Sequence, residues 1–202
     1  TADGRILKET EGYFRHLTVA EGDRVLDLGA HIGGFAVRAA LRGGKVWAVE
    51  PEPGNCALLQ QNVEAKRVRD RVEVLEVAAV VGGSGETALY LARGKNTGNQ
   101  TLLPTRGRES VMVRSREIQE IMAQAAPTIV KMDCEGAEFA LIGAMEWEGV
   151  RRALIEVHPG MFGGEGDGKV REARQHLEQA GFRVKAQGGV TPGLRTLLAW
   201  RA

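Results

Sequence analysis

Disulfides are the first thing this chain does without. Its two cysteines, Cys56 and Cys134, fall in segments that read as a helix and a strand end. They are expected to be reduced intracellular thiols in a cytoplasmic protein. No apolar run approaches membrane-spanning length and no signal peptide opens the chain, so no membrane role is expected. The chain begins at Thr1 rather than Met, which points to an upstream portion missing or processed. Charge of one sign is not in excess: the formal net charge of +1 gives no global pull toward nucleic acid or an anionic surface. Repeats and low-complexity tracts are absent too. What remains is an ordinary mix, 43% hydrophobic and 26% charged over 202 residues. That is enough to bury the core of one domain spanning 1–202.

The most informative stretch is residues 25–50, VLDLGAHIGGFAVRAALRGGKVWAVE. An apolar strand ends in Asp27-Leu28-Gly29, a glycine turn runs to Gly33-Gly34, a helix pattern follows, and a second strand stops at Glu50. This is the layout of a nucleoside site at the carboxyl ends of parallel strands. Gly29 allows a sharp turn off the strand. Gly33 lets the backbone approach a ligand and keeps the next helix near the sheet. That helix offers free N–H groups to the turn, and a carboxylate at Glu50 can accept ribose hydroxyls. The turn Gly29-Ala30-His31-Ile32-Gly33 is G-x-x-x-G, whereas a dinucleotide site wants G-x-G-x-x-G. Asp27 beside it repels a pyrophosphate and suits a cation. S-adenosylmethionine (SAM), with its sulfonium and ammonium and no phosphate, is therefore the expected cofactor rather than NAD. His31 is expected to shape the pocket rather than to do chemistry.

Along the chain, a lead-in helix over 4–18, within an N-terminal segment 1–20, precedes strands at 24–28, 46–49 and 72–77. Helices are expected at 34–41 and from Pro53 onward, since proline suits a first turn. Short strands at 87–91 and 111–114 flank a long polar loop, 93–108. A helix at 116–124 leads to a strand at 129–132. A helix from Ala137, a strand at 153–157, a glycine-rich stretch at 160–168 and a helix at 169–180 follow. Strands at 182–186 and 196–200 close the chain as an antiparallel pair. The alternation predicts an α/β fold, a mostly parallel sheet with helices on both faces.

Two further strand ends carry chemistry. Lys131-Met132-Asp133-Cys134-Glu135-Gly136-Ala137-Glu138 places acids and a glycine before a helix, across the cleft from the turn. Asp133 reads either as a base or substrate-orienting group or as a helix cap. Glu135 and Glu138 suit a helix start electrostatically and divide evenly between structural and functional roles. In Glu156-Val157-His158-Pro159, Glu156 and His158 point to one side. A histidine with a pKa of about 6.5 suits removal of a hydroxyl proton, against the plainer reading of a packed strand-end residue. Asp133, Glu156 and His158 match a divalent metal by ligand type, but nothing in their spacing demands one, so no metal ligand is assigned. The loop 93–108 holds Arg93, Lys95, Arg106 and Arg108 and no acid, which suits an anionic acceptor as well as it suits a solvated loop. The glycines of 160–168 fit a lid.

The combined order of LDLGAHIGGF, AVEPEPGNCALLQQNV, VLEVAAVVGGSGE, IVKMDCEGAEFALIGA and LIEVHP resembles the FkbM family of SAM-dependent methyltransferases over about residues 24–185. The resemblance implies the Rossmann-like class I fold, with a seven-stranded sheet, and methyl transfer, usually to oxygen. It implies that Asp27, Gly29 and Gly33 line the methionine part of SAM, with Ala30 and His31 in the same turn. Glu50 would take the ribose hydroxyls, Pro51 and Asn55 would flank them, and Ala78 and Ala79 would border the adenine. Asp133, Glu135, Gly136 and Glu138 match the family's acidic motif, with Cys134 where an aliphatic residue is common. The expected reaction is O-methylation of a small-molecule acceptor, with His158 as first candidate base, Asp133 second, and Glu156 beside them. N-methylation of a peptide or protein and a SAM-binding module without turnover are the alternatives. A nucleic-acid acceptor is disfavoured, since the Asn/Asp-Pro-Pro-Tyr/Phe motif is absent and the charge is near neutral.

Overall fold

A computed structural model of the chain describes residues 10–92, 98–188 and 194–201. Seven strands form one sheet: β1 (Arg24–Leu28), β2 (Lys45–Val49), β3 (Val72–Leu75), β7 (Ile129–Met132), β8 (Arg152–Val157), β9 (Arg183–Gly188) and β10 (Arg195–Trp200). Their spatial order is β3-β2-β1-β7-β8-β10-β9. The first five run parallel, and β10 is antiparallel to both β8 and β9. The order reverses direction beside β1, whose neighbours are β2 and β7. Ligands of such sheets sit at that point, outside the carboxyl ends of the strands.

Strand alternation divides the core in two. Leu26, Leu28, Val130, Met132 and Ile155 face one layer with helices α3 (Ile118–Ala125), α4 (Glu138–Ala144) and α5 (Gly166–Gln179). Val25, Val46, Ala48, Ile129 and Leu154 face the other, under α1 (Gly34–Leu41) and α2 (Pro53–Ala65). Because side chains repeat every two residues, Asp27 follows Val25, Lys131 follows Ile129 and Glu156 follows Leu154 onto this second face. Charged groups therefore occupy the last position of an otherwise apolar face. Residues 10–13 are helical and lead into β1, placing Tyr13 and Phe14 against Phe35 of α1.

The expected strand over 72–77 ends at Leu75. After Leu75 the chain leaves the main sheet, and β4 (Ala78–Val80) joins β5 (Gly85–Tyr90) and β6 (Ser110–Glu117) in a separate three-stranded sheet, order β4-β6-β5. Val77 N–H bonds back to the Leu75 carbonyl, and this tight turn breaks the ladder. The expected strand at 111–114 extends over Ser110–Glu117, because β5 and β4 pair with it from both sides. The glycine-rich stretch forms 3-10 turns over Pro159–Glu165, kinked at Gly163 (φ +55°), with Gly166 opening α5. A Cβ on Gly166 would lie 2.3 Å from the Pro159 carbonyl oxygen, so that glycine is a packing requirement. Of the loop 93–108, residues 93–97 lie outside the described residues, Arg93 and Lys95 among them.

Candidate active site

The site begins with a backbone collision avoided. Gly29 has φ +73°, and a Cβ there would lie 1.8 Å from the Asp133 carbonyl oxygen. Strand ends β1 and β7 touch at this point, with Asp133 N–H bonding to the Leu28 carbonyl. Gly33 is also left-handed, at φ +85°, but its hydrogen faces Leu59 of α2, 2.9 Å from where a Cβ would stand. Its observed duty is to seat one helix against another. Between them His31, at φ +52°, turns its N–H to within 2.9 Å of Glu50 Oε2. Ala30 is buried and its N–H, like that of Gly29, bonds to the Val49 carbonyl.

Glu50 sits at the end of β2 and is 5% exposed. Besides His31, it accepts N–H bonds from Glu52 (3.1 Å) and from Asn55 Nδ2 (3.2 Å). Three of a carboxylate's roughly four acceptor positions are thus filled, which sets its orientation while leaving capacity for a hydroxyl. Burial pushes the Glu50 carboxyl up, and the bonds from Asn55, Glu52 and His31 pull it back. Pro51 links Glu50 to Glu52, whose carboxylate caps α2 through the Gly54 and Asn55 N–H groups. Ala78 and Ala79 are both buried in β4, one in the small-sheet core and the other in the main core. The Cys56 thiol donates to the Glu50 carbonyl and burial raises it to about 12, so it is not a nucleophile.

Asp27 and Lys131 are register partners across β1 and β7, with Nζ 3.2 Å from Oδ1 and both side chains buried. Lys131 also donates to the Gly29 carbonyl at 2.8 Å. Burial raises the Asp27 pKa against the pull of Lys131. Burial works against charge on Lys131 as well, but Asp27 and Asp133 outweigh it and hold its pKa above the ordinary value. The Lys131 cation is therefore already held by the buried Asp27, and Glu50 and Asp133 stand at the neighbouring strand ends. That donor set fits a cationic sulfur nucleoside and offers a pyrophosphate nothing.

The acidic turn is held by a carboxylate that follows it. Glu135 (φ +49°) and Gly136 (φ +102°) are successive left-handed residues. This turn aims the Cys134 and Gly136 N–H groups at Glu138, which accepts them at 2.7 and 2.9 Å and is fully buried. Glu138 thus braces the turn, and neither it nor Asp133 caps the helix, whose N-cap position is Ala137 with no side-chain bond. Glu138 also takes His158 Nδ1 at 3.0 Å, leaving Nε2 3.4 Å from Glu135 and 3.8 Å from Asp133. Burial opposes a charge on His158, but the bond to Glu138 and the fields of Glu138, Glu135 and Asp133 prevail and raise its pKa to about 9. Glu135 is pushed up to about 7, first by burial, then by Asp133, Glu138 and Glu156, with His158 opposing. One ligand atom each from Asp133, Glu138 and His158 lies within 4.8 Å of the others. Both Glu138 oxygens also accept N–H bonds from the turn, and its bond to Nδ1 orients the histidine.

Sequence reasoning missed Tyr13. Its hydroxyl lies 3.0 Å from Glu156 Oε2 and 3.2 Å from Asp133 Oδ2. Its ring stands edge-on to Phe35, with Lys131 Nζ 5.6 Å from its centroid. Nothing in a helical lead-in marks a tyrosine for such a position, which depends on the chain folding back over the sheet. The described part of the 93–108 loop also reaches the site. Thr101 Oγ1 donates to the Glu135 carbonyl, and Leu103 and Met161 press on Gly136, where a Cβ would meet them at 2.6 and 3.0 Å. Arg106 is exposed, and Arg108 donates to the Asn99 carbonyl.

The strand order and the crevice define a Rossmann-like class I methyltransferase fold. Solved structures share it. The chain resembles a precorrin-6y C5,15-methyltransferase from Geobacter metallireducens (13% identity, 96% of this chain, 87% of that one, TM-score 0.56). It also resembles a SAM-dependent O-methyltransferase from Thermotoga maritima (14%, 96% and 65%, TM-score 0.57). Among curated proteins, a putative ribosomal RNA large subunit methyltransferase of Methanocaldococcus jannaschii is 41% identical over 59 residues, 29% of this chain and 15% of that protein. The model of the methyltransferase FkbM domain matches residues 27–184. The chain belongs to the FkbM methyltransferase family, and its cofactor is SAM. No helix among the described residues is long and apolar enough to cross a membrane.

Proposed function

We propose that the protein moves a methyl group from SAM to a hydroxyl of a small-molecule acceptor. The observation that carries this reading is the meeting of His158 Nε2 with the Asp133 and Glu135 carboxylates, at 3.8 and 3.4 Å. A hydroxyl must shed a proton to attack, and proton acceptors beside the cofactor crevice serve that need, with a contribution of about 10²–10⁴-fold. SAM supplies a methyl group already activated by its sulfonium. The chain supplies position. Glu50 holds the ribose, flanked by Pro51 and Asn55, and the turn with Asp27, Gly29, Ala30, His31 and Gly33 carries the methionine end. Ala78 and Ala79 bound the adenine side through the packing of β4 behind the crevice.

A proton that stays on His158 until about pH 9 makes it a poor base and a good cation. In this reading it orients Asp133 and Glu135, and Asp133 takes the acceptor's proton. The pH dependence follows. Glu135 becomes a carboxylate as pH rises through about 7, and His158 loses its charge as pH rises through about 9. The turnover number should therefore climb through the first value and fall through the second, and Glu135→Gln should lose the lower limb. A flat profile favours N-methylation, which needs less help with the proton.

The methanogen relative is named for ribosomal RNA, but it matches this chain over 59 residues only. An acceptor mouth bearing Asp133, Glu135 and Glu156 repels a phosphate backbone. The deciding experiment offers methyl-labelled SAM with hydroxyl-bearing small molecules, including anionic ones, amine-bearing peptides and RNA, with and without magnesium. Label on an ether oxygen supports the proposal. Label on nitrogen or RNA overturns it, and SAM binding without turnover on any acceptor identifies a binding module.

A further inference from the structure

The three oxygens of Glu156, Tyr13 and Asp133 form an unbroken row, with separations of 3.0 and 3.2 Å. A phenol carries one hydrogen and can donate to one carboxylate only. If both acids were ionised, the second contact would set two lone pairs against each other. Two hydrogen bonds in the row require one further proton, held by a carboxyl that donates to the tyrosine oxygen. We propose that Tyr13 is a positioning residue for methyl transfer, threading one shared proton between Glu156 and Asp133 so that Glu156 donates to Tyr13 and Tyr13 donates to an ionised Asp133.

The surroundings fix the direction. Asp133 has His158 Nε2 3.8 Å away and lies in the field of Lys131. Glu156, at the end of β8, is raised by burial and by Asp133, while Tyr13, His158 and Lys131 oppose this. Glu135 adds a further negative neighbour. Among the described residues, Lys131 and His158 stand on one side of the balance and Asp27 and Glu135 on the other. The negative charge belongs on Asp133, where the acceptor's proton must go, and the neutral acid belongs on Glu156. Tyr13 reaches the row from the segment before β1, and its ring is fixed against Phe35 at a centroid distance of 6.1 Å. Closure of that segment over the sheet therefore completes the proton arrangement of the site.

The role of Asp133 rests on the hydroxyl-acceptor reading above, so the test has one arm that needs no acceptor. An infrared difference spectrum of wild type minus Glu156→Gln, taken at neutral pH, should show a protonated carboxyl C=O band. That band should weaken in Tyr13→Phe, which keeps the ring and its contact with Phe35. Absence of the band in wild type overturns the shared proton whatever the acceptor is. In the second arm, Tyr13→Phe should lower the turnover number about tenfold with SAM affinity near normal, and Glu156→Gln should change the shape of the pH–rate profile. Unchanged turnover in Tyr13→Phe, with the infrared band intact, overturns the positioning role and leaves the methyl-transfer proposal standing.

Discussion

Replacing Glu50 with alanine is expected to weaken SAM binding about 100-fold. The carboxylate is held by three N–H donors, so a ribose meets an acceptor already oriented. Hydrogen bonds to a charged group are worth about 1.5–3 kcal/mol each, and the ribose hydroxyl taken by the open acceptor position then accounts for about 3 kcal/mol at most. At about 1.4 kcal/mol per tenfold, that is roughly two orders of magnitude in Kd. The same change leaves the His31 and Glu52 N–H groups and Asn55 Nδ2 without their acceptor. The variant should therefore also melt earlier, and affinity is best measured by calorimetry well below its transition. Unaltered affinity for SAM in a folded Glu50→Ala protein would remove the carboxylate from the cofactor site.

Gly29→Ala should be the most damaging single methyl group that can be added to the turn. Two costs combine. A left-handed alanine costs about 1–2 kcal/mol. Forcing a carbon into a packed contact costs about 1–3 kcal/mol more, and here the obstacle at 1.8 Å is the Asp133 carbonyl rather than a flexible side chain. A total of about 3–4 kcal/mol is a large share of the roughly 5–15 kcal/mol that holds a domain together. It should lower Tm by about 10 °C in a chain of this size. Gly22→Ala is the control: φ is +86°, but no atom lies within 4 Å of the added carbon, so only the conformational cost applies. Equal melting temperatures for the two variants would show that β1 and β7 do not meet at Gly29. Separating them would also displace Asp133, so any surviving Gly29→Ala protein should lose turnover.

The elements that could be read correctly from the chain are those whose cause is local. The turn after β1 follows from glycines at Gly29 and Gly33. The start of α2 follows from Pro53. Both faces of the sheet follow from alternating apolar residues, with Asp27, Lys131 and Glu156 as their charged terminal positions. The acidic motif was legible as a motif, but its division of labour was not. Asp133 and Glu138 both suit a helix start on paper, and neither caps it. Only the left-handed pair Glu135-Gly136 turns the Cys134 and Gly136 N–H groups toward Glu138 and leaves Asp133 for Tyr13 and His158. The protonation of His158 is likewise collective, since three carboxylates from a neighbouring turn set it.

The sequence by itself determined the parallel sheet, the crevice at its carboxyl edge and the cationic nucleoside that suits it, because side-chain period, glycine freedom and the sign of a charge act over a few residues. Tertiary structure alone decided that a tyrosine from the first described helical turn joins two acids more than a hundred residues away, that Glu138 braces the acidic turn and holds His158, and that the chain leaves the main sheet after Leu75. These depend on which segments meet in space. Distances between remote groups, and the fields they exert on one another, exist only once the chain has closed on itself.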